Sequence, residues 1–426
     1  MGPEELIVFE RLKNDEILRG VAGLFKDMDK NAAYGYCASL IRISDGMGFS
    51  GNLWRIYLTY LLVNDENSFS KGCELRGSAG ESLDEIALHD MEIFFGLFSL
   101  DTASLDEKSG ISCFKYITDY HGQTKQEKAY NKRIRDRIFE LSDNLYNAPD
   151  PEGMLKELMK FYREFGVGKF GLNKAFRLRE SSDTEFEIEP ITRIAHVKLS
   201  DLVGYESAKK KLIDNTEAFV DGRRANNCLL FGDAGTGKSS SVKGIMNEYY
   251  DRGLRVIEIY KHQFKFLNEV IARIKNRNYR FIIYMDDLSF EDTETEYKYL
   301  KAVIEGGLEK KPDNILIYAT SNRRHLVHEN FGDKLDRRET DEIHESDTVQ
   351  EKLSLYNRFG VTIYFGRPTP KEFKDIVLAR AGRYGVGIDE ETLLLEANRW
   401  ELSHGGLSGR TAQQFIDYVI GTMERR

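Results

Sequence analysis

Asn227-Cys-Leu-Leu-Phe231-Gly232-Asp-Ala-Gly235-Thr236-Gly237-Lys238-Ser239 decides how the chain reads. A short apolar run, Cys228 to Phe231, meets a glycine-rich turn and then a helix start. The spacing is G-x-x-x-x-G-K-S, the phosphate-binding P-loop. Gly232, Gly235 and Gly237 let the backbone curl, so that successive N–H groups converge on an anion. The following helix adds its N-terminal N–H groups and dipole. Val242, Ile245 and Met246 give that helix an apolar face. The stretch Gly232, Asp233, Ala234, Gly235, Thr236, Gly237, Lys238, Ser239 and Ser240 is therefore expected to hold a nucleoside triphosphate. Lys238 reaches the β- and γ-phosphates, and the Ser239 hydroxyl is a ligand for Mg²⁺.

Downstream, Phe281-Ile-Ile-Tyr-Met285 is a continuous apolar strand that ends in Asp286 and Asp287. Such a run suits a parallel sheet buried on both faces. Asp286 is expected to hold Mg²⁺ directly or through water, and Asp287 to polarise the attacking water. A further strand, Asn314 to Ala319, runs into Thr320-Ser321-Asn322. A polar residue there can orient the lytic water; Asn322 is the first candidate, with Thr320 and Ser321 as rivals. Arg358 stands just before the strand Val361 to Phe365, where an arginine can reach a neighbouring copy's γ-phosphate. Upstream of the P-loop, the turn Leu202-Val203-Gly204-Tyr205-Glu206 is a candidate adenine contact through Val203 and Gly204. After Pro370 the pattern is helical over Lys371 to Ala381, Asp389 to Trp400 and Ser408 to Met423. Arg410, at the start of the last of these, is placed to fall on the nucleotide.

Residues 1–190 read as mostly helical, and Asn173 to Val197 as a linker with a short strand. Leu6, Phe9 and Leu12, then Ile17 to Phe25, recur at helical spacing. Leu53 to Val63, Glu92 to Leu97, Glu127 to Leu145 and Met154 to Phe165 suggest bundle helices, while Asp101 to Gln126 reads as a surface loop. No catalytic constellation stands out in this half, and a docking role for a client or partner is the default expectation.

The 426 residues carry 61 Lys and Arg against 70 Asp and Glu, a net charge of −9, so there is no global footprint for nucleic acid. Four cysteines lack metal or disulfide spacing, which fits a reducing interior. The first residues lack the basic and apolar regions of a signal peptide. The longest apolar run, Leu53 to Val63, is too short to span a bilayer. A cytoplasmic protein without a membrane segment is expected. His325 and His328 resemble a metal pair only superficially, and Asp333 to Glu351 reads as a solvated acidic loop.

Taken together, the motifs of residues 200–424 resemble those of an AAA+ ATPase. The likeness is closer still to a bacterial family of AAA+ proteins described only as a domain of unknown function. It rests on Asp286-Asp-Leu-Ser-Phe-Glu291, Leu300-Lys-Ala-Val-Ile-Glu-Gly-Gly307, Tyr318-Ala-Thr-Ser-Asn-Arg-Arg-His-Leu326 and Glu351-Lys-Leu-Ser-Leu355 with Arg358-Phe-Gly360. The resemblance implies ATP binding and an α/β domain with five parallel strands in the order 5-1-4-3-2. That domain would span residues 191–366 and a helical lid 367–426, after the helical domain 1–190. It also implies phosphates and Mg²⁺ on Lys238 and Ser239, Mg²⁺ on Asp286, Asn322 as sensor 1, Arg358 as a finger acting in trans and Arg410 as sensor 2. A ring or open ring of identical subunits, acting on an unknown protein or nucleic-acid client, follows from the same likeness. Two features depart from the wider superfamily. Asp287 replaces the usual glutamate with a side chain one methylene shorter, which points to slow hydrolysis. Tyr260-Lys-His-Gln-Phe264 is not the pore loop of protein-threading unfoldases, which weighs against that role.

Three uses of the P-loop site stay open on these residues. One is an oligomeric motor, the second a nucleotide-gated loader with slow turnover, and the third and weakest a small-molecule kinase.

Overall fold

The computed structural model describes residues 2–26, 29–110, 112–122, 132–182, 184–192, 194–290, 296–305, 312–322 and 356–423. Two compact units divide the chain, Met1–Asn173 and Lys174–Arg426. The hallmark stretches at 291, 306–307, 323–326 and 351–355, with His325, His328 and the acidic run 333–351, lie outside the described residues.

The first unit is helical, as its apolar periodicity predicts. Leu53–Asn64, Glu81–Phe98 and Pro151–Phe165 are among its longer helices. Trp54, Phe69 and Phe94 are fully buried at its centre, and Phe9 meets Phe69 and Phe94 edge to face at 6.2 and 5.8 Å. Such pairs add about 0.5–1.5 kcal/mol each beyond the buried area. The first residues differ from expectation. Leu6, Phe9 and Leu12 belong to tight turns around Pro3–Glu5 and Glu10–Asn14, and not to an α-helix. The buried Asp90 carboxylate explains this. It accepts the backbone N–H groups of Ile7, Val8 and Phe9 at 2.8–3.0 Å and holds them out of helical pairing.

The stretch 101–126 is also more than a loop, for it contains helices Ala103–Ser109 and Phe114–Thr118. Asp106 accepts the N–H groups of Cys113, Phe114 and Lys115 at 2.8–3.0 Å, which starts the second helix. Leu105, Phe114 and Ile117 then bury themselves in the core.

The second unit is built on a sheet whose described strands are β1 (Ala175–Glu180), β2 (Phe186–Pro190), β3 (Cys228–Gly232), β4 (Leu254–Glu258), β5 (Arg280–Met285), β6 (Ile315–Ser321) and β7 (Val361–Phe365). Their order is β2-β1-β4-β5-β6-β3-β7. Counted from the P-loop strand β3, the five strands from β3 onward follow the expected 5-1-4-3-2, all parallel. The sheet is wider than expected by the hairpin β1–β2. In it β1 pairs parallel with β4 and antiparallel with β2. The boundary between units thus falls at Asn173, earlier than 190, because the presumed linker is sheet. Alternation explains the pairing: Phe176, Leu178, Phe186 and Ile188 are buried while Glu187 points outward.

Cys228, Leu230, Ile282, Tyr284, Leu316 and Tyr318 share one core with helices Glu206–Val220 and Lys238–Tyr249. The residues between them, among them Leu229, Ile283 and Ile317, are equally buried, so both faces of the sheet are covered. The helices Pro370–Tyr384, Glu390–Ser403 and Gly409–Met423 form the lid around Phe373, Val377, Leu393, Phe415 and Ile416. Thr369 and Glu372 start the lid with a reciprocal cap, and Pro370 occupies the first turn, where its missing N–H costs nothing. Among the described residues, no helix is long and apolar enough to cross a membrane.

Candidate nucleotide site

The site lies at the C-terminal ends of the parallel strands, where β3 gives way to the helix Lys238–Tyr249. Gly232 has φ +132°, and a Cβ on it would overlap the carbonyl oxygen of Phe365. Only glycine lets the turn press so closely on β7. Asp233 N–H then donates to the same oxygen at 3.0 Å. Gly235 and Gly237 are left-handed as well, at φ +75° and +95°.

Lys238 is buried, and its ammonium donates to Gly232 O, Asp233 O and Asn322 Oδ1 at 2.9, 2.6 and 3.0 Å. Burial pushes this ammonium below the usual lysine range, and Arg410 adds to the effect. Asp233, Asp287 and Asp286 oppose it. Ser239 Oγ donates to Asp286 Oδ1 at 2.7 Å. Tyr284 Oη and Thr320 Oγ1 donate to the same oxygen at 2.7 and 2.6 Å. Burial alone raises the Asp286 carboxyl, but these hydroxyls outweigh it and hold the group below the usual carboxylate range.

Asp287 sits in the left-handed region at φ +51°, uncommon for a residue with a side chain. Its N–H donates to Thr320 Oγ1 at 2.9 Å, and its Oδ1 accepts Asn322 Nδ2 at 2.7 Å. The amide of Asn322 therefore spans from the P-loop lysine to the second carboxylate. Of the candidates at the end of β6, Asn322 faces the cavity from between them, while Thr320 anchors both Asp286 and the Asp287 backbone.

These groups line a cavity of about 620 Å³, of a size that suits a small ligand. Val203, the P-loop from Gly235 to Ser240, Asp286, Asp287, Asn322 and Arg410 are all on its wall. The lid touches the P-loop directly: Arg410 N–H donates to Gly235 O at 3.2 Å, and Gly235 leaves no room for a side chain beside Ser408. Gly204, at φ +80°, turns the chain between Val203 and Tyr205. Tyr205 is itself left-handed at φ +58°, and its hydroxyl donates to Gly366 O at 2.9 Å, just before the lid. Burial, with Glu372, Asp233 and Tyr364 nearby, pushes this phenol up to about 12. Gly204, Gly232, Asp233 and Ala234 are not among the residues that line this cavity. Asp233 instead accepts Arg367 N–H at 3.1 Å and pairs with its Nε at 3.3 Å. Arg358 is exposed on the segment entering β7 and is not on this wall either.

Residues that sequence reading left out also shape the site. Tyr284, bonded to Asp286, had a usable signal: a phenol two places before a strand-end acid shares its face. Arg380, Tyr384 and Gln413 line the cavity from the lid, where helical periodicity marks only the apolar face.

The residues suit Mg²⁺ and a triphosphate. Ser239 Oγ and Asp286 are hard oxygen donors, as Mg²⁺ prefers. Among the described residues, no group of three or more His, Cys, Asp or Glu could hold a metal alone, so phosphate oxygens would complete the shell. The glycine turn keeps side chains away from the N–H groups that would meet those phosphates.

The five-strand order, the P-loop, the strand-end carboxylates and the three-helix lid together are the AAA+ P-loop ATPase fold. A segment of 69 residues is 38% identical to the replication factor C large subunit of Staphylothermus marinus, and the match spans only 16% of each protein. Among solved structures, a point mutant of Thermotoga maritima RuvB is 19% identical at a TM-score of 0.36, over 54% of this chain and 72% of that one. The Thermotoga maritima RuvB Holliday junction branch migration motor is 15% identical at 0.31, over 52% and 71%. The model of the family described as protein of unknown function (DUF815) matches residues 172–423, more than half of the chain, and the chain belongs to that family.

Proposed function

We propose that this chain binds ATP with Mg²⁺ and hydrolyses it at a site shared between copies, and that turnover remodels a macromolecular client. The observation that carries the reading is the Asn322 amide held between Lys238 Nζ and Asp287 Oδ1. A purely structural glycine turn has no need of an ammonium, an amide and a carboxylate joined by hydrogen bonds at a cavity wall.

In this reading the P-loop N–H groups and Lys238 bind and charge-balance the β- and γ-phosphates. Ser239 and Asp286 hold Mg²⁺, which supplies charge neutralisation at the phosphate oxygens when bound. Asp287 accepts a hydrogen bond from the attacking water, and Asn322 fixes that water against the γ-phosphate. Arg410 contributes positive charge from the lid of the same copy, and Arg358 from a neighbour in a ring or open ring. Val203 and Gly204 contact the adenine. The helical first unit selects the client, protein or nucleic acid, in a cytoplasmic setting.

One observation favours a second reading, a nucleotide-gated loader that turns over slowly. The Asp287 carboxylate is short and tied to Asn322, which limits its reach toward water. Phosphate release at saturating Mg²⁺-ATP, with sedimentation in parallel, separates the two. Sustained turnover that is lost in Lys238→Ala supports the motor. Assembly on ATP with almost no turnover supports the loader. Absence of nucleotide binding in the wild type would sink both.

A further inference from the structure

Tyr284 is the one phenol in the run Phe281–Met285, and it lies on the same strand face as Asp286. It is 4% exposed, among the apolar residues that face the helix Lys238–Tyr249. A hydroxyl placed there needs a partner, and its partner is Asp286 Oδ1 at 2.7 Å. Thr320 Oγ1, at 2.6 Å, and Ser239 Oγ, at 2.7 Å, donate to the same oxygen. All three of these bonds end on Oδ1, and none of them on Oδ2.

The three donors are not equivalent. Ser239 belongs to the P-loop, and its hydroxyl can donate to Asp286 while offering a lone pair to Mg²⁺. Tyr284 and Thr320 sit on strands of the sheet. We infer that Tyr284 is a positioning residue, which with Thr320 keeps the Asp286 carboxylate in one rotamer from the sheet side, and so sets the affinity of the site for Mg²⁺. The inference rests on the nucleotide reading above. Removing partners of this kind typically weakens metal binding by about 10–100-fold.

Tyr284→Phe keeps the ring and removes only the donor. The full-length protein is titrated with Mg²⁺ in the presence of a ribose-labelled fluorescent ATP, and label binding is also measured in EDTA. The expected result is a half-saturating Mg²⁺ concentration raised by about 10-fold or more, with metal-free label affinity and thermal midpoint unchanged. A Mg²⁺ titration that superimposes on the wild type overturns the inference. So does an equal loss of metal-free affinity with a lower midpoint, since that marks a merely structural role. Wild-type protein that binds no label with or without Mg²⁺ overturns the nucleotide reading itself and this inference with it. Thr320→Val gives a second entry to the same oxygen: combined with Tyr284→Phe, it should raise the Mg²⁺ requirement beyond either change alone.

Discussion

Asn322 donates its side-chain amide to Asp287 Oδ1 at 2.7 Å, and accepts Lys238 Nζ on the oxygen of the same amide at 3.0 Å. One planar group thus uses both ends. It fixes the distance between the phosphate-binding lysine and the carboxylate assigned to water. Asn322→Ala removes both bonds but leaves the P-loop backbone in place. Hydrolysis should fall about 100-fold, while the affinity for Mg²⁺-ATP changes far less. Single-turnover phosphate release beside equilibrium binding checks the split, and equal losses in both would remove the water-orienting role.

Gly232 offers a test of the architecture and not of the chemistry. Its φ of +132° and the closeness of Phe365 O exclude a side chain on two separate grounds. Gly232→Ala must move either the P-loop or β7. A loss of about 3 kcal/mol or more is expected from strain and overpacking together. Denaturant unfolding monitored by circular dichroism gives the number, and a variant as stable as the wild type contradicts the geometry.

In the first unit the sharpest expectation concerns Asp90. Its carboxylate is 0% exposed and accepts three consecutive backbone N–H groups, at Ile7, Val8 and Phe9, with His89 Nδ1 at 3.1 Å as well. Asp90→Ala strands those donors, that of Phe9 in a buried place and those of Ile7 and Val8 in half-buried ones. Each stranded group costs about 1–3 kcal/mol, so the N-terminal segment should detach before the helices melt. Hydrogen exchange at residues 7–9 should speed up by several powers of ten, with the helix Leu53–Asn64 little affected. Uniform acceleration across the unit would count against a local anchor.

The P-loop and Asp90 also show what the sequence could reveal. The P-loop was legible because its chemistry requires fixed residue types at fixed spacing: glycine for left-handed backbone, lysine and serine for phosphate and metal. Asp286 and Asp287 were legible because two acids rarely end an apolar run by accident. Asp90 was not, since its bond partners are more than 80 positions away and any helix carries acids. The alternation from Phe186 to Ile191 reads as one short strand in a linker, but its partner β1 is masked by Arg177, Arg179 and Glu180, although Phe176 and Leu178 alternate beneath them. Tyr284 is easily passed over because tyrosine is an ordinary strand residue, and its one signal is the two-place spacing that puts it on the face of Asp286.

Arg358 provides the last prediction, and it concerns more than one copy of the chain. It is exposed just ahead of β7, while β7 pairs directly with the P-loop strand β3 and places Phe365 against Gly232. Yet Arg358 is absent from the cavity wall formed by Lys238, Asp287 and Asn322. If it acts, it acts on another copy's nucleotide, because an arginine finger must reach the γ-phosphate to neutralise charge in the transition state. Arg358→Ala should then lower turnover by about 1000-fold while each copy still binds ATP. Lys238→Ala should abolish binding in its own copy. Mixed in equal amounts, the two inactive proteins can form interfaces that pair an intact P-loop with an intact arginine. Up to about a quarter of the wild-type interfaces are then competent if mixing is random, and activity should reappear toward that level. Activity that stays at the sum of the two separate proteins would mean that Arg358 serves its own copy or none.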